Sequence, residues 1–231
     1  MNGEENKKLI LIVYNILSDK ADEMEIEQAP ESSRLDVKSI KDALRESGFN
    51  VKTFGLRYVS SKIATKIEEI DPDAVFNLCE SLYDDSRNEM CVAGLLALFK
   101  IPYTGSTPLS LGISLNKRKS KQILRAAGLF VPSSVLAIRG QTFSLSDLEA
   151  PYIIKPIRED GSNGISAKSV VRTKEEVEER IKFIHENYYQ PAIIEEFIAG
   201  RELNVSIIGG AEPRVLSIGE IDFSKMPKGE F

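Results

Sequence analysis

A lysine followed by a loop of small residues is the first feature of this sequence that could do chemistry. Lys155 ends the apolar run Tyr152-Ile153-Ile154, Pro156 follows it, and the segment from 159 to 164 reads Glu-Asp-Gly-Ser-Asn-Gly. An ammonium group supplies positive charge, and glycines let backbone N–H groups approach anionic oxygens closely. The pattern indicates a phosphate-binding segment, although a β-hairpin closed by a Gly/Asn turn fits the same residues equally well.

Two adjacent carboxylates form a second candidate feature, in the run Ile193-Ile194-Glu195-Glu196-Phe197-Ile198. Side chains alternate between the two faces of a strand, so Glu195 and Glu196 should point in opposite directions. A carboxylate that emerges among apolar residues could accept a hydrogen bond from an adenine amino group or a ribose hydroxyl. A solvated edge strand is the alternative interpretation.

Several other kinds of site are excluded by the residues that the sequence lacks. His185 is the single histidine, so a multi-histidine zinc site cannot form, and its place in an amphipathic helix favours a packed or solvated side chain. The sequence contains no G-x-S-x-G, no Walker A pattern and no G-x-G-x-x-G. Cys79 and Cys91 form no CxxC pair, and their apolar neighbours predict that both thiols are buried.

The composition is that of an ordinary globular protein, with 231 residues, 42% hydrophobic residues and a net charge of −5. The sequence has no basic stripe of the kind that binds nucleic acid, and an anionic surface disfavours binding to acidic membranes. The start of the chain is polar, and the first apolar run is too short for a signal peptide. We therefore expect a cytoplasmic protein that binds neither nucleic acid nor membrane.

The first half of the chain alternates strands and helices, which predicts a doubly wound, Rossmann-like domain up to about residue 107. A polar loop is expected from Ser18 to Ser33, and Gly48 should follow the first helix. The predicted strands are Leu9 to Tyr14, Val51 to Phe54, Ala74 to Leu78 and Ile101 to Tyr103. Three helices are predicted in this half. The first starts at Arg34, the second follows a cap at Ser60 or Ser61, and the third runs from Glu89 to Phe99.

The second half has more strands and fewer helices, which predicts an α+β unit with antiparallel pairing. Asn116 should cap a helix from Lys117 to Ala127 that ends at Gly128, and a capping box of Thr173 and Glu176 should start a helix from Lys174 to Asn187. The predicted strands are Val131 to Ile138, Tyr152 to Lys155, Ile165 to Val171, Ala192 to Ile198, Glu202 to Ile208 and Arg214 to Asp222.

Together these pieces resemble the D-alanine–D-alanine ligases of the ATP-grasp superfamily, in the same order and at similar spacing over nearly the whole chain. The segments that carry the resemblance are Val75-Phe76-Asn77-Leu78, Ile101-Pro102-Tyr103-Thr104-Gly105-Ser106, Asn116-Lys117, Ala127-Gly128-Leu129-Phe130-Val131-Pro132, Ile154-Lys155-Pro156 and Glu195-Glu196-Phe197-Ile198-Ala199-Gly200-Arg201-Glu202. The implied α/β fold has a Rossmann-like pre-ATP-grasp domain over 1–107, a central ATP-grasp lobe over 108–195 and an incomplete C-terminal lobe over 196–231.

The resemblance also implies a reaction. Such ligases phosphorylate a substrate carboxylate with ATP, in the presence of Mg²⁺, and an amine then attacks the acyl phosphate. The expected substrates are small molecules, with amino acids favoured, and the family implies a homodimer and a link to peptidoglycan. Seven residues match nucleotide-binding positions: Lys117 and Lys155 for the phosphates, Ser162 and Gly164 in the loop that closes over the triphosphate, Glu195 and Ile198 for adenine, and Glu202 for ribose.

Three departures from the family pattern lie toward the amino-acid substrate. The first strand ends in Asn15-Ile16-Leu17-Ser18 where the family has a Gly-rich loop with a glutamate. Glu80-Ser81 replaces a His-Gly, and Gly161 replaces the serine that opens the loop. Because the nucleotide positions mostly match and these do not, the resemblance implies a substrate other than D-alanine.

The magnesium carboxylates of the family lie downstream of Phe231, so no metal ligand and no catalytic residue is assigned, and we expect this chain alone to be inactive. A nucleotide-binding module that has lost catalysis is the alternative. Another ATP-grasp reaction, such as carboxylation, is disfavoured by the similarity across the first domain. Four charged residues after the Ala74 to Leu78 strand are candidates for substrate contacts, although a solvated loop is favoured there: Glu80, Asp84, Asp85 and Arg87.

Overall fold

The computed structural model describes residues 7–16, 31–58, 61–210 and 212–224, without the side chains of 31–33 and 61–62. The chain divides into two compact units, Met1–Ser120 and Lys121–Phe231. A parallel sheet in the first unit and antiparallel sheets in the second give the predicted α/β class. The three-part division with borders after residues 107 and 195 stays a prediction.

The first unit is built on a three-stranded parallel sheet with the order β2-β1-β3. Its strands are β1 (Leu9–Asn15), β2 (Asn50–Leu56) and β3 (Ala74–Leu78). Its helices are α1 (Glu31–Glu46), α2 (Ser61–Ile70), α3 (Glu89–Leu98) and α4 (Pro108–Leu115), with a 3₁₀ turn at Ser86–Asn88. This order confirms the predicted alternation of strands and helices.

The central strand β1 is buried on both faces, as its continuous apolar sequence predicts. Leu11 and Val13 pack into one core cluster, with residues of α2 and α3. Ile12 and Tyr14 pack into a second cluster, with Val37 of α1. Since successive side chains of a strand point to opposite faces, these clusters cover the two sides of the sheet.

Three predictions for the first unit need correction. Helix α1 begins at Glu31, so the predicted loop from Ser18 to Ser33 ends earlier than expected, and its residues up to Pro30 lie outside the described residues. The segment Ile101 to Tyr103 is not a strand, because only Tyr103 forms a bridge, with Val75. Helix α4 was not predicted, although Thr107 caps it by accepting a hydrogen bond from the N–H of Ser110. The proposed cap at Ser60 lies outside the described residues.

The cysteine prediction is half correct. Cys79 is buried at 4% exposure within the core of the first unit. Cys91 is exposed, because it lies on a face of α3 that no described residue covers. An apolar sequence neighbourhood does not settle which side of a helix faces the core.

The second unit contains a four-stranded antiparallel sheet with the order β4-β7-β5-β6 and a separate two-stranded sheet of β8 and β9. Helix α5 (Lys117–Ala126) begins in the first unit and continues into the second. The other elements are β4 (Ser134–Ala137), β5 (Tyr152–Pro156), a 3₁₀ turn (Ala167–Ser169), β6 (Val170–Val171), α6 (Lys174–Asn187), β7 (Ala192–Glu196), β8 (Leu203–Ile208) and β9 (Arg214–Glu220).

Most predicted strands of the second unit are present but shorter than predicted. The predicted strand Ile165 to Val171 is mainly wrong, since Ala167–Ser169 forms a 3₁₀ turn and only Val170–Val171 pairs. Strand β7 ends at Glu196, so Ile198 lies beyond it. In the described residues, no helix is both long and apolar enough to cross a bilayer.

Local signals at the helix ends are confirmed. The Thr173 side chain accepts from the N–H of Glu176, and the Glu176 carboxylate accepts from the N–H of Thr173 at 3.0 Å, which completes the predicted capping box. Gly128 ends α5 at φ 79°, a backbone conformation that glycine adopts without strain. His185 is half-buried, and its Nε2 lies 3.0 Å from the carbonyl oxygen of Ala137, so it is a packed side chain.

Candidate functional site

The four-stranded sheet has two chemically different faces. Ile154 and Ile194 point to one face and pack against Val177, Ile181 and Ile184 of α6. In the antiparallel register Lys155 is opposite Ile193 and Ile153 is opposite Glu195. Because directly opposed residues share a face, Lys155 and Glu195 both project from the other side of the sheet. Helix α6 therefore buries one face and leaves the charged pair on the other.

Glu195 is held there by two lysines. It is 6% exposed. Its Oε2 accepts from Lys155 Nζ at 2.8 Å, and its Oε1 accepts from Lys121 Nζ of α5 at 2.6 Å. Each carboxylate oxygen has a second lone pair, so the group retains capacity for two more donors. Two ammonium groups around one carboxylate leave a net charge of about +1, which favours an anionic ligand.

The charges of this cluster shift the ionisation of Glu195. Burial would raise the pKa of its carboxyl group, but the charges and hydrogen bonds of Lys155 and Lys121 together outweigh burial and hold the pKa below its ordinary value. Glu195 is therefore ionised at neutral pH, and its ion pairs stabilise the folded second unit.

We expect the contribution of this cluster to stability to disappear in acid. Because the pKa of Glu195 is depressed by folding, the contribution is fully present above the ordinary value of 4.5 and is lost as the pH falls through the lower folded-state value. Urea denaturation from neutral pH to about pH 3 should show the stability gap between wild type and Glu195→Gln narrowing over that range. A gap that stays constant would contradict the ion pairing.

The loop after β5 offers backbone N–H donors at its tip. Gly161 has φ 55° and Ser162 has φ 61°, so two successive residues take the left-handed conformation. The Asn163 N–H donates to the Asp160 carbonyl at 2.9 Å. Among the described residues, no acceptor pairs with the N–H groups of Gly161, Ser162 and Gly164. Open N–H groups in a turn of this kind suit an anion.

The C-terminal end of this loop is tightly packed. Gly164 has φ 73°, and a Cβ atom added to it would lie 2.6 Å from Pro156 Cγ and 3.0 Å from Tyr188 Cζ. The hydroxyl of Tyr188 donates to Asn163 Oδ1 at 3.2 Å, and Asn163 Nδ2 donates to Glu159 at 2.7 Å. The loop thus has an exposed tip and a fixed base.

The other sequence-predicted residues make no contact in the cluster around Glu195 that the structure records. Lys117 is half-buried at the start of α5, in the first unit, where Asn116 caps the helix by accepting from the N–H of Lys119 at 3.1 Å. Ile198 is 69% exposed after the end of β7. Glu202 is exposed just before β8, and its carbonyl accepts from the N–H of Ile221 at 3.0 Å.

Sequence reasoning missed Lys121 as a member of the cluster. The available signal was its spacing, since Lys121 follows Lys117 by four residues in a predicted helix and such positions share a face. The contact with Glu195 joins residues 74 positions apart. Such a separation has no local sequence signature.

Two ion pairs hold three of the four charged residues that follow β3. Asp85 binds the guanidinium of Arg87, and Asp84 accepts from Arg57 at 2.8 Å. The Asn15 side chain, at the end of β1, donates to the Ser81 carbonyl at 2.7 Å and accepts from the Glu80 N–H at 2.7 Å. Arg57 was not singled out from the sequence, and Asn15 was noted only as part of a segment that departs from the family pattern. Substrate contacts at this end of the parallel sheet stay a prediction.

Metal-binding groups are not clustered in the part of the chain that the structure describes. No group of three His, Cys, Asp or Glu side chains there could hold a metal ion.

Comparison with known proteins points to one family. Residues 137–227 match a family model described as the D-ala D-ala ligase C-terminus. A D-alanine–D-alanine ligase of Jannaschia sp. is 30% identical over 184 residues, covering 78% of this chain and 55% of the relative. The ligase of Methylorubrum extorquens is 32% identical over 181 residues with the same coverage. The chain thus spans about half the length of these curated relatives.

Solved structures share the fold. The D-alanine–D-alanine ligase of Bacillus anthracis complexed with ATP has a TM-score of 0.62 at 20% identity, covering 91% of this chain and 71% of that one. The VanG D-Ala:D-Ser ligase of Enterococcus faecalis has a TM-score of 0.65 at 20% identity, covering 94% of this chain and 70% of that one.

Proposed function

Since this chain belongs to the D-alanine–D-alanine ligase family, we propose that it provides the nucleotide-binding part of an ATP-dependent carboxylate–amine ligase. The observation that carries the proposal is the pairing of Lys155 with Glu195 beside a loop with open N–H groups. An ammonium group and backbone donors suit phosphate oxygens, and a nearby buried carboxylate can orient the lysine.

The proposed roles follow the resemblance to the family. Lys155 and the loop at Ser162 and Gly164 hold the phosphates, while the spare lone pairs of Glu195 accept from the adenine amino group. Ile198 presents its backbone to adenine. Glu202 binds the ribose, and Lys117 adds a second phosphate contact. ATP supplies the phosphoryl group; this chain supplies position and positive charge, which is most of what phosphoryl transfer asks of a protein.

The proposed chemistry has two steps. A substrate carboxylate oxygen attacks the γ-phosphorus of ATP, which gives an acyl phosphate and ADP. An amine then attacks the acyl carbon and releases inorganic phosphate as the amide forms. The substrates are small molecules, with amino acids favoured, and the departures at Asn15 to Ser18 and at Glu80 favour a first substrate other than D-alanine.

Hydroxylamine trapping tests this proposal on the full-length protein. With ATP, magnesium and a panel of D- and L-amino acids, we expect amino-acid-dependent ADP release, and a hydroxamate when hydroxylamine replaces the amine substrate. Nucleotide binding without ADP release under every condition would identify a binding module instead. Residues 1–231 alone are proposed to be inactive, and ATP turnover by them that Lys155→Ala abolishes would contradict this part.

A further inference from the structure

Arg180 is a buried cation on α6, beside the loop but away from the cluster around Glu195. It is 7% exposed, and its Nη2 donates both to the Gly164 carbonyl and to Ser169 Oγ, the latter at 2.9 Å. Ser169 is itself fully buried. The guanidinium therefore ties the last residue of the loop and the end of the following 3₁₀ turn to one helix.

The surroundings of Arg180 do not neutralise its charge. No carboxylate is among the groups that act on the guanidinium, and its buried Nε–H has no hydrogen-bond partner among the described residues. The ring of Phe183 lies 4.5 Å from the guanidinium carbon. Burial lowers the pKa of Arg180. A buried cation without a counter-charge is costly, and an apolar side chain there would stabilise the fold more simply.

The two acceptors of Arg180 bracket the segment that turns the chain back from the loop. Gly164 ends the loop, and Ser169 Oγ also accepts from the Ser166 N–H at 3.0 Å. Helix α6 packs on the sheet through Val177, Ile181 and Ile184. Arg180 thus connects the base of the loop to a helix that packs into the core of the second unit, while the residues from Asp160 to Asn163 are exposed.

We propose that Arg180 is a positioning residue of the nucleotide site, which fixes the Gly164 end of the loop so that the open N–H groups face the phosphates. This inference rests on the proposed function. Arg180 acts through the backbone of the loop. Its loss should therefore weaken the binding of ligands that carry phosphates and leave the binding of a nucleoside unchanged.

The test compares Arg180→Ala and Arg180→Lys with Lys182→Ala, a control on an exposed face of the same helix. Calorimetry on the full-length protein should show ATP binding weakened about tenfold in Arg180→Ala, with adenosine binding unchanged. Arg180→Lys, which keeps a charged donor, should restore part of the affinity, and the control should match wild type. An equal loss for ATP and adenosine, or no loss for ATP, would overturn the proposal.

Hydrogen exchange separates this inference from the proposed function. Amides of residues 158–166 should exchange faster in Arg180→Ala than in wild type, while those of β5 and β7 keep their protection. If wild type binds neither ATP nor adenosine, the proposed function fails. If the exchange of the loop amides is also unchanged in Arg180→Ala, then Arg180 does not fix the loop either. Faster exchange confined to the loop would support that role.

Discussion

Replacing Lys155 with methionine is expected to weaken ATP binding about a hundredfold, on the basis of one lost charge-assisted phosphate contact. Methionine keeps most of the apolar stem but removes the ammonium group. In this variant Lys121 still forms its ion pair with Glu195, so the buried carboxylate keeps one positively charged partner. The expected loss is therefore in ligand binding more than in folding.

Calorimetry with ATP, ADP and adenosine measures this effect. Lys174→Met is the matched control, because Lys174 lies in the first turn of α6 and forms an exposed pair with Glu178 at 3.7 Å. The affinity for adenosine should change little in Lys155→Met. If ATP binds equally well to Lys155→Met and to the control, the phosphates do not lie beside Lys155.

Replacing Glu195 with glutamine is expected to lower the free energy of unfolding by about 3 kcal/mol. The side chains of Lys121 and Lys155 are only 11% and 22% exposed, so both ammonium groups would be left without a compensating carboxylate. Removing one member of a buried ion pair is costly because the remaining charge stays desolvated. Here two charges remain.

Urea denaturation at neutral pH measures the loss. Glu178→Gln, which removes an exposed carboxylate of α6, should cost less than about 0.5 kcal/mol. Combining Glu195→Gln with Lys121→Met should recover part of the lost stability, because one uncompensated charge is then gone. If the loss in the free energy of unfolding of the double variant equals the sum of the losses of the two single variants, Lys121 and Glu195 do not interact.

Features that rest on local sequence were predicted well. The continuous apolar run of β1 indicated a strand buried on both faces, and the spacing of Thr173 and Glu176 located the start of α6. Both depend on contacts within a few residues or on the period of a single element. Helix α4 carried a local signal as well, since Pro108 follows Thr107 at the first helical position. Its apolar sequence, without a polar face, hid the helical period.

Features that rest on distant contacts could not be predicted. Lys121 and Arg180 each act on residues of other elements, and nothing in their sequence neighbourhoods indicates the partner. The predicted strand Ile165 to Val171 was too long for the same reason. Its apolar pattern favours a strand, but the hydrogen bonds of Ser169 with Ser166 and Arg180 hold its first part in a 3₁₀ turn. The resemblance supplied what local patterns could not, namely which lysine and which carboxylate to consider together.

The contrast between the two cysteines provides a built-in chemical probe of the first unit. Cys91 is open to an alkylating reagent in the native protein, whereas Cys79 lies in the core, where burial also raises the pKa of its thiol. Only the thiolate reacts readily, so Cys79 is doubly protected until the core around it opens. The count of alkylated thiols, read by mass spectrometry during a denaturant pulse, therefore reports the opening of this unit alone, without an introduced label.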